Sequence, residues 1–331
     1  MKIPKILLIC LICLSCKSQT KKINGISFVA SSDKITEKHI SPVVKVSANY
    51  VALMPFGFIK DLASPTIIHN TNRQWFGETE NGIIQYGEEF KKRNIKLMIK
   101  PHIWVWKGEF TGNIAMKSEE NWKVLEDSYE DFILTYAKTA QKLKVDIFCI
   151  GTELEQFVKN RPDFWGELIK EIRKIYTGKL TYAANWDEYK RVSFWNDLDY
   201  IGIDAYFPLS DKKTPTIADF EKGWQIHKNE IQKVRKKVNK PVLFTEYGYR
   251  SVDFTGKEPW NSDRIIEKVN HQNQKNAMQA IYNQFWKEDW FAGGFIWKWF
   301  HKHQKVGGKN NNRFTPQNKP TEALIKKLYA K

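Results

Sequence analysis

Short runs of apolar and β-branched residues recur along this chain, separated by longer stretches in which apolar positions repeat with helical spacing. The runs predict strands at residues 25–29, 50–54, 96–100, 146–151, 179–183, 200–204, 242–245 and 294–297. Amphipathic helices are predicted over residues 80–93, 118–143, 163–176, 216–238 and 264–287. Parallel strands need crossovers, and every interval between the strands has room for a helix. Eight strands alternating with helices predict an α/β fold of one kind, a closed (β/α)8 TIM barrel in a single domain, over an open doubly wound sheet. No Pro/Gly/Ser-rich linker and no internal repeat divides the 331 residues.

Catalytic groups of such a barrel stand where strands end and loops begin. Two of the predicted strands end in a glutamate, Glu153 after Ile150-Gly151-Thr152 and Glu246 after Phe244-Thr245. They lie 93 residues apart (246 − 153). At roughly 31 residues per strand–helix unit that is three units, which places them on the fourth and seventh strands. Two carboxylates on one rim are the minimum equipment of a glycosidase, so the spacing points to a retaining glycoside hydrolase. Glu155 is a rival for the first position; Glu153 is preferred because it directly follows the apolar run. The plain alternative is a pair of surface glutamates at loop starts.

The remaining strand ends are polar and aromatic. Lys100-Pro101-His102-Ile103-Trp104 closes the third strand and Ala184-Asn185-Trp186 the fifth. Asp204-Ala205-Tyr206 closes the sixth and Trp297-Lys298-Trp299 the eighth. A long loop after the second strand, residues 55–79, carries Arg73 and Trp75. With 13 Trp the chain has more of this residue than a core usually recruits, and an indole face stacks well on a pyranose ring.

The net charge of +16 raises the question of nucleic acid. The charge is spread out, as in residues 233–240 on the solvated face of a helix, and no nucleic-acid-binding motif accompanies it, so no such partner is expected. A basic surface suits residence beside anionic lipid or cell-surface polymers. Lys2 and Lys5 flank a short apolar stretch, residues 6–14, followed by Leu14-Ser15-Cys16. That run is too short to span a bilayer and has the form of a secretory signal. Cys16 resembles a bacterial lipoprotein processing site, although Cys13 stands where Leu is usual. An ordinary signal peptide is the alternative. The expected organisation is a leader over residues 1–16 with lipidated Cys16, a tether over 17–22 and a catalytic domain over 23–331. This describes an exported bacterial lipoprotein anchored to a membrane, on its periplasmic or cell-surface face. Cys10, Cys13 and Cys16 lie in the leader, which leaves Cys149 alone in the body and no intramolecular disulfide. His301 and His303 have no placed carboxylate or Cys beside them, so no metal is expected. Serine-nucleophile and phosphate-loop signatures are absent.

Ile150-Gly151-Thr152-Glu153, Phe244-Thr245-Glu246-Tyr247-Gly248-Tyr249 and the tail Phe314-Thr315-Pro316-Gln317-Asn318-Lys319-Pro320 together resemble glycoside hydrolase family 113. The resemblance runs from the first strand to the tail. It implies a (β/α)8 retaining enzyme that cleaves β-1,4-mannosidic bonds in mannan or manno-oligosaccharides without a cofactor. By the same resemblance Glu153 is the acid/base and Glu246 the nucleophile, with Tyr206 orienting Glu246. Trp297 would floor the subsite of the attacked sugar, and His102, Trp104, Asn185, Trp186, Trp75 and Arg73 would supply the other sugar contacts. Thr152 departs from the wider superfamily, where Asn precedes the acid/base and binds the sugar 2-hydroxyl; Asn185 is then the candidate for that contact. A retaining β-glycosidase acting on galactan, glucan or xylan is the nearest alternative, and a catalytically lapsed sugar-binding lipoprotein the more distant one. A monomer is expected, and endo or exo action depends on which loops block the cleft.

Overall fold

The computed structural model describes residues 21–261 and 268–331. The predicted leader, most of the tether, lipidated Cys16 and the first turn of the helix expected from Arg264 lie outside the described residues. In chain order the elements are β1 (Ile23–Phe28), α1 (Glu37–Lys45), β2 (Tyr50–Leu53), β3 (Phe56–Ile59), α2 (Glu80–Lys91), β4 (Lys96–Ile99), β5 (His102–Val105), α3 (Glu119–Lys142), β6 (Ile147–Thr152), α4 (Glu155–Asn160), α5 (Pro162–Ile175), β7 (Lys179–Asn185), β8 (Ile201–Asp204), α6 (Ile217–Val238), β9 (Val242–Tyr247), α7 (His271–Phe285), β10 (Phe291–Trp299) and α8 (Pro320–Tyr329). Eight strands close a parallel barrel in the order β1-β10-β9-β8-β7-β6-β4-β2. The molecule is the (β/α)8 TIM barrel that the alternation of patterns predicts.

Strand alternation sorts the core into two layers. Ala52, Met98, Ile147, Leu243 and Phe295 point inward and plug the barrel axis. Their neighbours Val51, Leu97, Phe148, Val242 and Phe244 point outward and pack under the helices. Gly25 makes room for one plug residue, because a Cβ there would lie 2.4 Å from the Phe295 ring.

Two features depart from the sequence reading. The loop expected at residues 55–79 begins with a strand: β3 pairs in parallel with β5, Phe56 opposite His102 and Phe58 opposite Trp104. Pro55 and Pro101 cause this. Neither can donate to a ladder, so β2 and β4 leave the barrel together and re-pair beyond it as a two-stranded ribbon. Between β7 and β8, moreover, the expected crossover helix is reduced to turns and a single 3-10 turn, Trp195–Asp197.

Candidate active site

The site grows from strand alternation carried one step past the plug. On β4 the inward series Lys96, Met98 continues to Lys100, which is 0% exposed. On β8 the last residue is Asp204, 1% exposed. Glu246 is 5% exposed, and alternation alone would turn it outward with Phe244. An extra residue in β9 prevents this: Ile203 aligns with Phe244 but Asp204 with Glu246, and the same insertion shows against β10. Such a bulge places Thr245 and Glu246 together at the barrel's interior end.

These residues form one buried network. The Lys100 ammonium donates to both oxygens of Asp204, at 3.1 and 2.9 Å, and to Oε1 of Glu246. Thr245 Oγ1 donates to Asp204 Oδ1 at 2.7 Å, and the Tyr206 hydroxyl to Glu246 Oε2 at 2.7 Å. Tyr206 therefore stands where the sequence expects it. Burial by itself would lower the pKa of Lys100, but the charges of Asp204 and Glu246 outweigh it and the amine is held above its ordinary value. Asp204 is raised by burial and by Glu246, against the pull of Lys100.

Glu153 reaches the same cavity by a different device. A register shift between Cys149 and Thr152 marks a bulge at the end of β6, and Glu153 itself has φ of 51°. The left-handed conformation costs a residue with a Cβ about 1–2 kcal/mol. Neighbouring contacts fix it: the Glu153 N–H donates to the Ala183 carbonyl at 2.8 Å and the Leu154 N–H to the Tyr182 hydroxyl at 2.7 Å. Tyr182 in turn donates to Glu188 Oε1 at 2.7 Å, while Glu188 Oε2 accepts the Asn185 N–H at 2.9 Å. Glu188 thus ties the two rim segments together, and burial pushes its carboxyl up to about 7. The Glu153 carboxyl is driven well above the usual range, first by burial and then by the charges of Asp204 and Glu246.

Glu155, the rival, opens α4 and pairs with Arg191 Nε at 2.7 Å outside the cleft. Glu155→Ala removes one half-exposed ion pair, so the expected result is activity within about twofold of wild type in a steady-state assay. A loss as large as that of Glu153→Ala would move the acid/base role to Glu155.

The cleft above these groups has a volume of about 1020 Å³. Glu153, Glu246 and Tyr206 line it, as do His102, Trp104, Asn185, Trp186, Trp297 and Trp75. Arg73 is not among the lining residues and is exposed on the loop beside Trp75. The ribbon raises one wall: alternation along β3 and β5 turns Phe56, Phe58, His102 and Trp104 to the cleft. Opposite, the rings of Trp186 and Trp260 stack at 5.3 Å and 10°. His102 packs between Phe56 and Trp297, its ring 5.3 and 6.2 Å from theirs. Burial and the Lys100 charge lower its pKa well below normal, so it is neutral and its 3.6 Å approach to Glu246 is no ion pair. Its buried Nε2 has no hydrogen-bond partner among the described residues. Thr152 gives its hydroxyl to the Pro101 carbonyl at 3.1 Å. Asn185 accepts the Trp186 N–H through Oδ1 at 2.8 Å.

Sequence reading saw Lys100 and Asp204 at strand ends but gave neither a role. The available signal was parity, since each closes an apolar strand on the inward side. Glu188 and Tyr182 gave no local signal. Among the described residues no group of three His, Cys, Asp or Glu could hold a metal ion, and His301 and His303 pair with Asp33 and Glu322.

The model of glycoside hydrolase family 113 matches residues 30–319. The chain belongs to glycoside hydrolase family 113. Solved structures agree on the barrel. A family 113 β-mannanase from Alicyclobacillus acidocaldarius in complex with ManMIm superposes with a TM-score of 0.81 at 23% identity, covering 93% of this chain and 97% of that one. A family 113 β-1,4-mannanase solved as a complex gives 0.81 and 23%, over 94% and 99%. A Ruminococcus gnavus β-glucuronidase gives 0.61 at 12% identity, over 94% of this chain and 50% of that one. A search of curated proteins finds no match. As a family 113 member the protein is a glycoside hydrolase, and its aromatic cleft holds two carboxyls, Glu153 and Glu246.

Proposed function

We propose that this family 113 protein cleaves β-1,4-mannosidic bonds in mannan or manno-oligosaccharides with net retention. One observation carries the reading. A carboxylate held by two donors, Glu246, shares a single aromatic cleft with a carboxyl, Glu153, whose surroundings favour its protonated form. Similarity to two β-mannanases supports the choice of glycan.

In the first step Glu246 attacks the anomeric carbon, the glycosidic C–O bond breaks, and the departing oxygen takes the Glu153 proton. Glu153, now a carboxylate, then removes a proton from water. That water attacks the anomeric carbon and releases Glu246. Tyr206 and Lys100 hold the two Glu246 oxygens apart and fixed, so little reorganisation is needed at the moment of attack. When Glu246 becomes an ester it loses its charge, and Lys100 still has Asp204 as a counter-ion. Trp297 and His102 face the attacked sugar, and Asn185 Nδ2 is the donor for its 2-hydroxyl.

The pH dependence follows from the acid. Activity requires protonated Glu153, so the basic limb of kcat/KM should lie well above the ordinary carboxyl range. Asp204→Asn removes one of the charges that raise Glu153, so the limb should move to lower pH. An unchanged limb in Asp204→Asn would remove Glu153 as the titrating acid.

The test of the whole reading is a product profile on mannohexaose, cellohexaose, xylohexaose and galactan. Mannobiose and mannotriose from mannohexaose alone would support it, and their order of appearance would separate endo from exo action. Cleavage of another glycan in place of mannohexaose would keep the mechanism and replace the substrate. Binding without release, unaltered in Glu246→Ala, would overturn hydrolysis itself.

A further inference from the structure

Charge is divided unequally between the two ends of this barrel. Helices in the fold run from the mouth to the opposite face, so their last turns collect there with the strand starts. First turns at the mouth are acidic, with Glu80, Glu119, Asp163, Asp219 and Glu322. The last turns of α1, α3, α6 and α8 are basic, through Lys45, Lys142, Lys236, Lys237, Lys326 and Lys327. All six are exposed, and none forms an ion pair among the described residues. Several acids of that face are already engaged, Asp146 with Lys96, Asp199 with Arg173 and Lys179, and Glu288 with Lys228, while Glu88, Asp197 and Asp289 stay exposed there. One cation per helix would complement the helix dipoles. The adjacent pairs on α6 and α8 exceed that need.

The chain before the barrel joins this same face. Lys21 and Lys22 lead into β1, and the Lys22 ammonium donates to the carbonyls of Glu288 and Phe291 where β10 begins, at 2.7 and 2.5 Å. The apolar run of residues 6–14 lies a short distance upstream in the sequence. We infer that the face opposite the cleft docks on an anionic lipid surface, which turns the mouth away from the membrane. Two observations agree on lipid as the partner: exposed lysines at the ends of four helices on one face, and a chain that enters the barrel on that same side through Lys21 and Lys22, downstream of an apolar run in the sequence. Docking at this face involves no residue that lines the cleft.

The barrel closes, and both core layers pack, using residues at or after Ile23, so the chain from Lys21 onward is a fair test molecule. Its sedimentation would be measured with phosphatidylcholine vesicles, with and without phosphatidylglycerol, at low and high salt. Binding is expected only with phosphatidylglycerol and should fade as salt screens the charges. Each basic side chain near such a surface strengthens binding about fivefold. Reversing Lys236, Lys237, Lys326 and Lys327 to Glu should therefore weaken it more than about a hundredfold with the melting temperature retained. Reversing Lys213, Lys257, Lys305 and Lys309 at the mouth makes the same change in net charge and should leave most of the binding. Equal loss in both variants, or no binding to phosphatidylglycerol at low salt, would overturn the inference. Capture by an acidic polymer such as heparin without vesicle binding would assign the face to a soluble polyanion instead.

Discussion

Glu246→Ala is expected to lower turnover of manno-oligosaccharides by about 10⁴-fold or more, because the removed group would form the covalent bond of the first step. The protein should still fold, since Lys100 keeps Asp204 as its counter-ion. Azide added with an activated β-mannoside should restore turnover and yield the α-azide, as it enters the space left by Glu246 and inverts the centre once. Glu153→Ala should behave differently. It should lose about 10²–10⁴-fold on natural substrates but less on those with good leaving groups, which need no protonation. Its azide product should be the β-anomer, formed from the intermediate on the opposite face. The two anomers, read by NMR, assign the two glutamates independently of any rate. Identical anomers from both variants would sink the assignment.

The second large effect concerns stability. Lys100→Met leaves Asp204 and Glu246 side by side, buried, with no cation. Breaking a buried pair in this way costs about 3–5 kcal/mol, mostly from the uncompensated charge left behind. The sign of the pH dependence follows from Asp204. Its folded pKa is already above the unfolded value with Lys100 opposing the shift, and it rises further when Lys100 is lost. A carboxyl with a raised folded pKa contributes stability below its unfolded value, about 3.9, and loses it as pH rises through the folded one. The melting deficit of Lys100→Met against wild type should therefore be small near pH 4 and grow toward neutrality. Lys100→Met/Asp204→Asn should recover part of it, because the charge and its missing partner are removed together. A deficit of equal size at every pH would mean that lost packing, not charge, accounts for it.

The position of each carboxylate in sequence was legible because an apolar strand followed by Glu is a local pattern. Its direction in space was not. Period-two reading puts Glu246 on the same side as Phe244, under the helices, and only the β9 bulge turns it into the cleft. Glu153 likewise depends on a bulge and a left-handed residue that tertiary hydrogen bonds maintain. Arg73 lies two residues from Trp75, which lines the cleft, yet is itself exposed and absent from the lining, since a loop has no periodicity from which to read direction.

The sequence alone determined the eight-stranded barrel and the strands bearing both glutamates, because alternation and strand-end chemistry are local and repeat in register around a closed sheet, while the Tyr206 contact was implied by the family resemblance. Tertiary structure alone decided the Lys100–Asp204–Glu246 network and the Tyr182–Glu188 tie across the rim. It also decided the ribbon that raises the cleft wall and the gathering of lysines at the far face. Each of these joins residues from different strands or helices, and their ionisation and aim depend on burial and on neighbours that only closure of the barrel brings together.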